Sequence, residues 1–313
     1  LNKNKKQKVS GKVADFDAKS LYPSALYRLG GLLKGSPKVL KNLNYEFLKN
    51  QDGYFIKILV VENGIDYDFS LMSYIDDKSG VRNFTNDMKG KYMYVDKTGL
   101  EDLINFQKIK FKIIKGYYFN EGRNYTCKEV IKTMYDMRSK MKKEGNPASL
   151  CLKLCMSSIY GKTIQKPIES DSCILRNWKE TKNYISRNYN SVVEFYKLSD
   201  SKKWKVKTLK PINEHFTFNP VGIEILSMSK RIMNEVFDIC FNNDLKIYIQ
   251  DTDSLHIDLE NVEKLETLFK QKYNRNLIGD QMGEFHSDFE MEDCKDVYSE
   301  CLIALGKKCY IDC

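Results

Sequence analysis

The sequence has little that points to a membrane, to secretion or to a disulfide framework. No apolar run approaches the roughly 18 residues needed to span a bilayer, and the basic start LNKNKKQKVSGK is followed by no apolar segment. The nine cysteines include no CxxC pair, and Cys294, Cys301, Cys309 and Cys313 are spaced too loosely to favour zinc. We therefore expect reduced thiols in the cytoplasm or nucleus of a host cell, with no secretion and no membrane partner. Because the chain starts at Leu1 rather than Met, we also expect a fragment.

The chain is rich in basic and aromatic side chains. Its 313 residues include 51 Lys and Arg against 42 Asp and Glu, a formal net charge of +9, together with 20 Tyr and 16 Phe. Positive charge favours a polyanionic partner, and lysines mixed with aromatic rings can neutralise phosphates and stack on bases. Nucleic acid is therefore the first candidate partner, and lysines that serve only solubility are the alternative.

The tetrapeptide Asp251-Thr252-Asp253-Ser254 is the most informative segment. It lies between two β-prone runs, residues 246–250 and 255–257, which predicts a hairpin with acidic groups at its turn. Carboxylates this close repel each other unless a hard cation such as Mg²⁺ compensates them. The alternative is ordinary turn chemistry, in which Asp caps its own backbone.

The other elements follow from local patterns. Residues 12–18 predict a short strand that ends near Asp17, and a helix starts at Ser20 with Pro23 in its first turn. Residues 128–143 and 148–160 predict two antiparallel helices joined by a Gly/Pro turn. A strong helical pattern over 220–241 leads into the acidic hairpin, and residues 285–313 alternate like strands. Residues 30–125 are mixed, with strands at 54–61 and 111–119, and show no obvious chemistry.

Three stretches occur in an order that matches a known family. DAKSLYPS (17–24), KLCMSSIYGK (153–162) and QDTDS (250–254) together resemble the family B DNA polymerase signatures DxxSLYPS, KxxxNSxYG and YxDTDS. The short helical hairpin and the long insert before it look most like the protein-primed viral and linear-plasmid branch. The resemblance covers residues 12–312. It implies an α+β fold, a polymerase palm with an antiparallel sheet plus a short two-helix fingers hairpin.

The resemblance also implies a domain division. Residues 1–30 would be the first part of the palm, 31–124 an unassigned insert, 125–162 the fingers and 163–313 the second part of the palm. Only 16 residues precede Asp17 and three follow Tyr310, so we expect neither the proofreading exonuclease nor the thumb of the family.

The matched motifs assign catalytic and metal-binding roles by resemblance. Asp17 and Asp253 would hold two Mg²⁺ ions, with Asp251 as a supporting acid. Asp17 alone is equally well explained as an acid near a helix N-terminus. Two metals roughly 3.5 to 4 Å apart can activate a primer hydroxyl and hold the leaving phosphate oxygens in line.

Nucleotide and DNA contacts follow from the same motifs. The nucleotide-binding set is Ser20, Leu21, Tyr22, Arg138, Lys142, Lys153, Ser157 and Tyr160, and the DNA-binding set is Gly161, Lys162, Lys308 and Tyr310. Tyr22 would lie beneath the incoming sugar and exclude a 2′-hydroxyl. Lys153, Ser157 and Tyr160 share one helix face. By alternation, Lys308 and Tyr310 face one side of a strand.

Two positions depart from the family pattern, and one set of polar residues has a simpler interpretation. Ser157 replaces an Asn and Ile249 replaces a Tyr, so contacts made by those side chains in the family are in doubt here. Ser227, Lys230 and Arg231 on the long helix are interpreted as a solvated face.

The function that the resemblance implies is template-directed DNA polymerisation. The partners would be primer-template DNA and deoxynucleoside triphosphates (dNTPs). A terminal protein is one candidate primer, and an RNA or a DNA end is the alternative. A catalytically silent nucleic-acid-binding scaffold is the alternative, and a nuclease that uses the same carboxylates is a third hypothesis.

Overall fold

The structure is a computed structural model that describes residues 8–166, 169–199, 201–211, 217–289, 297–306 and 308–313. Its helices are α1 (Leu21–Leu29), α2 (Tyr45–Leu48), α3 (Lys97–Asp102), α4 (Thr126–Lys143), α5 (Ala148–Thr163), α6 (Trp178–Arg187), α7 (Asn219–Asn242) and α8 (Val262–Tyr273). Its strands are β1 (Lys8–Ala18), β2 (Leu32–Leu33), β3 (Lys38–Val39), β4 (Gly53–Glu62), β5 (Ser73–Ile75), β6 (Arg82–Phe84), β7 (Tyr92–Asp96), β8 (Lys110–Phe119), β9 (Arg123–Asn124), β10 (Ser170–Leu175), β11 (Val192–Lys197), β12 (Trp204–Leu209), β13 (Ile247–Asp251), β14 (Ser254–Asp258), β15 (Phe285–Ser287), β16 (Ser299–Gly306) and β17 (Cys309–Asp312).

The described residues belong to two compact units. The first comprises Leu1–Tyr160 and Pro220–Cys313, and the second comprises Gly161–Asn219. The mixed α and β elements with antiparallel sheets confirm the predicted fold class. The division into palm, insert and fingers stays a prediction.

The first unit is built on an antiparallel sheet in the order β13-β14-β1-β16-β17, and β15 pairs with the C-terminal end of β1. Strand residues alternate between the two faces. Ala14, Phe16 and Ala18 of β1 point to the face that packs against α1, α7 and α8, where the largest core cluster lies. The opposite face carries Asp15 and Asp17. On that opposite face Val13 is buried in a smaller apolar cluster and Asp15 is buried as well, so only Asp17 at the strand end is partly exposed.

Residues 31–124 form a second layer of the same unit around the sheet β3-β8-β4-β7. In β4 the residues alternate strictly, and Tyr54, Ile56, Ile58 and Val60 are buried in a separate apolar cluster. This alternation is typical of an antiparallel sheet with one packed face and one solvated face.

Buried ion pairs join this insert to α7. Arg231 donates to Asp102 at 2.5 Å and to the Thr98 carbonyl at 2.7 Å, and Arg123 donates to Glu224 at 2.7 Å. Arg231 exposes only 18% of its side chain. The interpretation of Arg231 as part of a solvated face is therefore wrong, because its guanidinium satisfies acids of α3 that periodicity along α7 does not reveal.

The second unit is a three-stranded antiparallel sheet, β10-β12-β11, with α6 packed on it. Trp178, Phe195 and Trp204 form an aromatic cluster in this unit, and the two indole rings lie 4.7 Å apart. In the part of the chain that the structure describes, no helix has both the length and the apolar character that crossing a bilayer requires.

Candidate active site

The acidic hairpin is a tight turn fixed to the end of β1. Thr252 adopts a left-handed conformation with φ of 56°, and the Asp253 amide donates to the Asp251 carbonyl at 2.7 Å. Asp17 is paired with Ser254 in the β1–β14 register, and the Ala18 amide donates to the Asp253 carbonyl at 2.8 Å. Backbone hydrogen bonds therefore hold Asp17 and Asp253, which are far apart in sequence, at the same end of the sheet.

Burial and neighbouring negative charges raise the pKa values of both Asp17 and Asp253. Partial burial and the charge of Asp253, followed by that of Asp288, raise the pKa of Asp17 to about 6, and Lys153 opposes the shift. Burial also raises the pKa of Asp253, with the charges of Asp251 and Asp288 adding to the shift and Lys308 opposing it. The site thus holds excess negative charge that nearby lysines compensate only in part.

This donor set fits Mg²⁺. Carboxylate oxygens are the hard ligands that Mg²⁺ prefers, and it usually takes one or two of them together with water and substrate phosphates. Among the described residues, no group of three or more His, Cys, Asp and Glu side chains could by itself hold a metal ion. Asp17 and Asp253 are therefore an open pair, whose remaining ligands would come from solvent and substrate.

Asp251 is placed differently from this pair. The Lys308 ammonium lies 2.9 Å from one Asp251 carboxylate oxygen and 3.0 Å from the other. This ion pair satisfies the Asp251 carboxylate within the protein. The arrangement suits a supporting acid rather than a main metal ligand.

The helical hairpin α4–α5 reaches the start of α1. Arg138 of α4 donates to the Ser20 hydroxyl at 3.3 Å. The rings of Tyr22 and Tyr160 stack at a centroid distance of 4.2 Å and an interplanar angle of 9°. The pKa of the Tyr22 hydroxyl is raised, first by burial and then by the charge of Asp253. Residues of all three sequence motifs therefore meet at one place.

The other predicted nucleotide- and DNA-binding residues differ in burial and in surroundings. Leu21 is a core residue with 4% exposure, so only its backbone is free to contact a nucleotide. Lys142 and Ser157 are exposed. Gly161 and Lys162 end α5 within the second unit, where Lys162 donates to Gln165 at 3.1 Å.

The Lys-x-Tyr element differs from the strand that its alternation predicted. Lys308 precedes β17 in a left-handed conformation with φ of 58°, so it belongs to the β16–β17 turn and only Tyr310 lies in the strand. The prediction that both residues face one side of a strand is wrong, because the turn still includes Lys308 and β17 begins only at Cys309. The turn instead lets Lys308 reach Asp251.

A buried polar cluster that the sequence motifs did not predict lies beside the carboxylates. His256 is fully buried, and its Nε2 lies 3.2 Å from Asp312 Oδ2 and 3.5 Å from Asp15 Oδ2. Burial, with the charges of Asp288, Asp312 and Asp17, raises the pKa of Asp15 to about 7. Asp15 precedes Asp17 by two residues on the same strand face, and that spacing could have predicted that it lies near the carboxylate pair. For Asp288, which is far along the chain, no local pattern predicts this position.

The described cysteines supply no further site. The eight described cysteines are free thiols, and Cys309 and Cys313 are exposed. Cys294 lies outside the described residues.

Comparison with known proteins places this geometry in a family. The family model for DNA polymerase type B, organellar and viral, matches residues 1–239. The uncharacterized protein 075R of Invertebrate iridescent virus 3 is 30% identical over 144 residues, which make up 45% of this chain and 82% of that protein.

Solved structures of Phi29 DNA polymerase share the fold. An orthorhombic crystal form matches with a TM-score of 0.61 and 16% identity over 100% of this chain and 47% of that chain. The complex with primer-template DNA and incoming nucleotide substrates matches with a TM-score of 0.62 and 16% identity over 100% of this chain and 48% of that chain. The chain spans about half the length of these solved polymerases.

Proposed function

The chain belongs to the organellar and viral type B DNA polymerases, and we propose that it carries out template-directed DNA synthesis as the palm and fingers of such an enzyme. The reaction is transfer of a nucleotide from a dNTP to a primer 3′-hydroxyl on primer-template DNA. One observation carries the proposal: the β1–β14 register and the Ala18–Asp253 hydrogen bond unite Asp17 and Asp253 at one sheet end.

Asp17 and Asp253 would hold the Mg²⁺ ions of the reaction. Bound there, Mg²⁺ supplies Lewis-acid activation of the primer hydroxyl and charge neutralisation of the phosphates. The protein holds the two carboxylates in place before substrate arrives, so little reorganisation is needed when charge develops. Asp251, paired with Lys308, keeps the turn that carries Asp253 in position.

Basic side chains of α4 and α5 are suited to the triphosphate. Lys153 is close enough to the acidic pair to lower the pKa of Asp17, so its ammonium can contact phosphates that approach the same carboxylates. Arg138 is directed to the same place by its bond to Ser20. Positioning and charge compensation are what phosphoryl transfer demands of a protein.

The aromatic pair defines the nucleotide side of the site. Tyr22 stacks on the ring of Tyr160 and is near enough to Asp253 for that charge to raise its pKa, and its ring would limit the space under the sugar. Tyr160 would lie against the nascent base pair. We assign Tyr310, whose ring centroid lies 5.1 Å from that of His256, and Lys308 to primer-template contacts.

We also propose that synthesis starts from a protein primer. The motif order and the likeness to Phi29 DNA polymerase support priming from a protein hydroxyl. A primer-independent assay with labelled dNTPs and proteins of the source would show covalently labelled protein, whereas label only on nucleic acid primers would contradict protein priming.

Primer extension tests the catalytic assignment. The parent chain, Asp17→Asn, Asp253→Asn and the control Asp77→Asn, an exposed acid of the insert, would be compared on one labelled primer-template with Mg²⁺. Loss of a metal-binding carboxylate should lower the rate by about a thousandfold, since most of the charge stabilisation goes with it. Equal extension by all four proteins would leave a nucleic-acid-binding scaffold.

Release of nucleotides from the template in the absence of dNTPs would instead indicate a nuclease. This control uses the same proteins and the same labelled DNA, so it requires only the omission of nucleotides.

A further inference from the structure

The insert presents an open sheet face that the active site does not use. The face is formed by the side of β4, β7 and β8 opposite the apolar cluster and is represented by Lys57, Tyr92, Tyr94, Lys112, Lys115 and Tyr117. The strand registers place these side chains together, because Lys57 is paired with both Tyr94 and Lys115. We refer to these six residues as the open sheet face.

Three tyrosine rings on this face are exposed to solvent. Tyr94 is 75% exposed, and Tyr92 and Tyr117 are each 52% exposed. The Lys57 ammonium lies over two of them, 4.1 Å from the Tyr92 centroid and 5.5 Å from the Tyr94 centroid. Grouped exposed rings are unusual on a surface without a partner, so the face is suited to a ligand with flat groups.

The six residues of the open sheet face carry positive charge only, and at the end of the same side Glu62 is paired with Lys110. Lys57 and Lys115 are direct cross-strand neighbours, and like charges in that position destabilise a sheet. In the part of the chain that is described, neither Lys112 nor Lys115 has a carboxylate within ion-pair distance. Asp96 at the end of β7 is buried and accepts from the Gly99 amide of α3. An anionic ligand would relieve this unfavourable pairing.

The same spacing favours single strands over duplex. Tyr92 and Tyr94 are two residues apart on one strand, about 7 Å, so each ring can stack on a separate base. In a duplex the base faces are stacked on one another and are closed to side chains. Antiparallel four-stranded sheets with aromatic rings on an open face are a recurrent platform for unpaired bases, and stacking tolerates any sequence.

We propose that the open sheet face binds single-stranded DNA. Tyr92, Tyr94 and Tyr117 stack on bases while Lys112 and Lys115 neutralise phosphates. DNA is chosen over RNA because the chain belongs to a family of DNA polymerases. The binding does not require Asp17 or Asp253, so it is separable from the proposed catalytic function.

Fluorescence anisotropy with the whole chain tests the proposal. A fluorescein-labelled oligothymidylate is titrated in EDTA, which removes metal-dependent binding at the carboxylates. Tyr92→Ala/Tyr94→Ala should weaken binding roughly tenfold for each ring that is lost. Tyr189→Ala is the matched control, because Tyr189 is 78% exposed but lies in the second unit. It should bind like the parent.

A second variant measures the phosphate contacts. Lys112→Gln/Lys115→Gln should lower the slope of log affinity against log salt by roughly 0.7 for each contact. The control Lys179→Gln/Lys182→Gln changes two exposed lysines of α6 and should leave the slope unchanged. If circular dichroism shows that the tyrosine variant is unfolded, this lysine pair decides the question.

Several outcomes would overturn the proposal. If Tyr92→Ala/Tyr94→Ala and Lys112→Gln/Lys115→Gln both bind oligothymidylate as the parent does, the proposal is wrong, and a protein partner becomes the candidate ligand of this face. Equal weakening by Tyr189→Ala would remove the assignment to this face. Equal weakening of blunt-duplex and oligothymidylate binding by Tyr92→Ala/Tyr94→Ala would exclude stacking on unpaired bases, and tighter binding of oligouridylate would exclude DNA as the ligand.

Discussion

Replacing Asp253 with Asn should stabilise the metal-free protein while abolishing its response to Mg²⁺. The charge of Asp253 is the second cause, after burial, of the rise in the Asp17 pKa from 3.8 to about 6. A shift of that size corresponds to about 3 kcal/mol in total. Because the site is partly exposed and screened, and because burial is the larger cause, we expect the substitution to add only about 0.5 to 1 kcal/mol.

The pH dependence has a definite sign. The folded-state pKa of Asp17 lies above its unfolded value, so the native state loses stability as pH rises from about 4 to 6. The advantage of Asp253→Asn over the parent should therefore be complete at pH 7.5 and vanish near pH 4. Thermal unfolding in EDTA at these pH values measures it, with an expected rise of about 1 to 3 °C at pH 7.5.

Magnesium reverses the order of stability. A ligand that binds only the native state at ten times its dissociation constant adds about 1.4 kcal/mol, so Mg²⁺ should raise the parent midpoint by about 3 °C. Asp253→Asn should respond little, and the control Asp77→Asn should respond like the parent. A variant that is less stable than the parent in EDTA, or one with the full Mg²⁺ response, would refute the reasoning.

Three further substitutions probe other parts of the molecule. Asp96 is 2% exposed with an unpartnered carboxylate oxygen, and burial raises its pKa to about 6. Asp96→Asn keeps the oxygen that caps α3 and should raise the free energy of unfolding at pH 7.5 by on the order of 1 to 3 kcal/mol, measured by urea unfolding. A lower free energy of unfolding would contradict the conclusion that the buried charge of Asp96 is destabilising. Arg123→Ala leaves Glu224 buried without its partner and should cost about 3 to 5 kcal/mol, part of which Arg123→Ala/Glu224→Ala recovers. Tyr22→Ala removes the ring stacked on Tyr160 and should raise ribonucleotide incorporation in primer extension; an unchanged ratio of ribo- to deoxynucleotide would exclude a sugar-sensing role.

Local periodicity predicted the elements that frame the site. The predicted strand at 12–18 is the end of β1, and the helices predicted at 128–143, 148–160 and 220–241 correspond to α4, α5 and α7. Each has a regular apolar pattern or a Gly/Pro boundary, which are signals contained within one segment. The sheet and helix of residues 161–219 were not predicted, because their short polar strands carry weak alternation.

Placement of polar side chains was predicted less well. Arg231 looked like a surface residue because the acids that pair with it lie in α3, over a hundred residues away. His256 gave no signal, since its burial depends on β17 bringing Asp312 against it. Lys308 was assigned to a strand because alternation does not reveal where a turn ends.

The sequence by itself determined which residue types are available for chemistry and which of them share a turn or a helix face, because those relations are set by bond geometry over a few residues. Only the tertiary structure decided that the end of β1 meets the β13–β14 turn, which raises the pKa of Asp17 and leaves an open carboxylate pair. The same is true of Lys57 and Lys115, whose unfavourable pairing exists only across strands. Contacts between distant segments depend on which apolar faces pack together, and that competition is resolved by the whole chain.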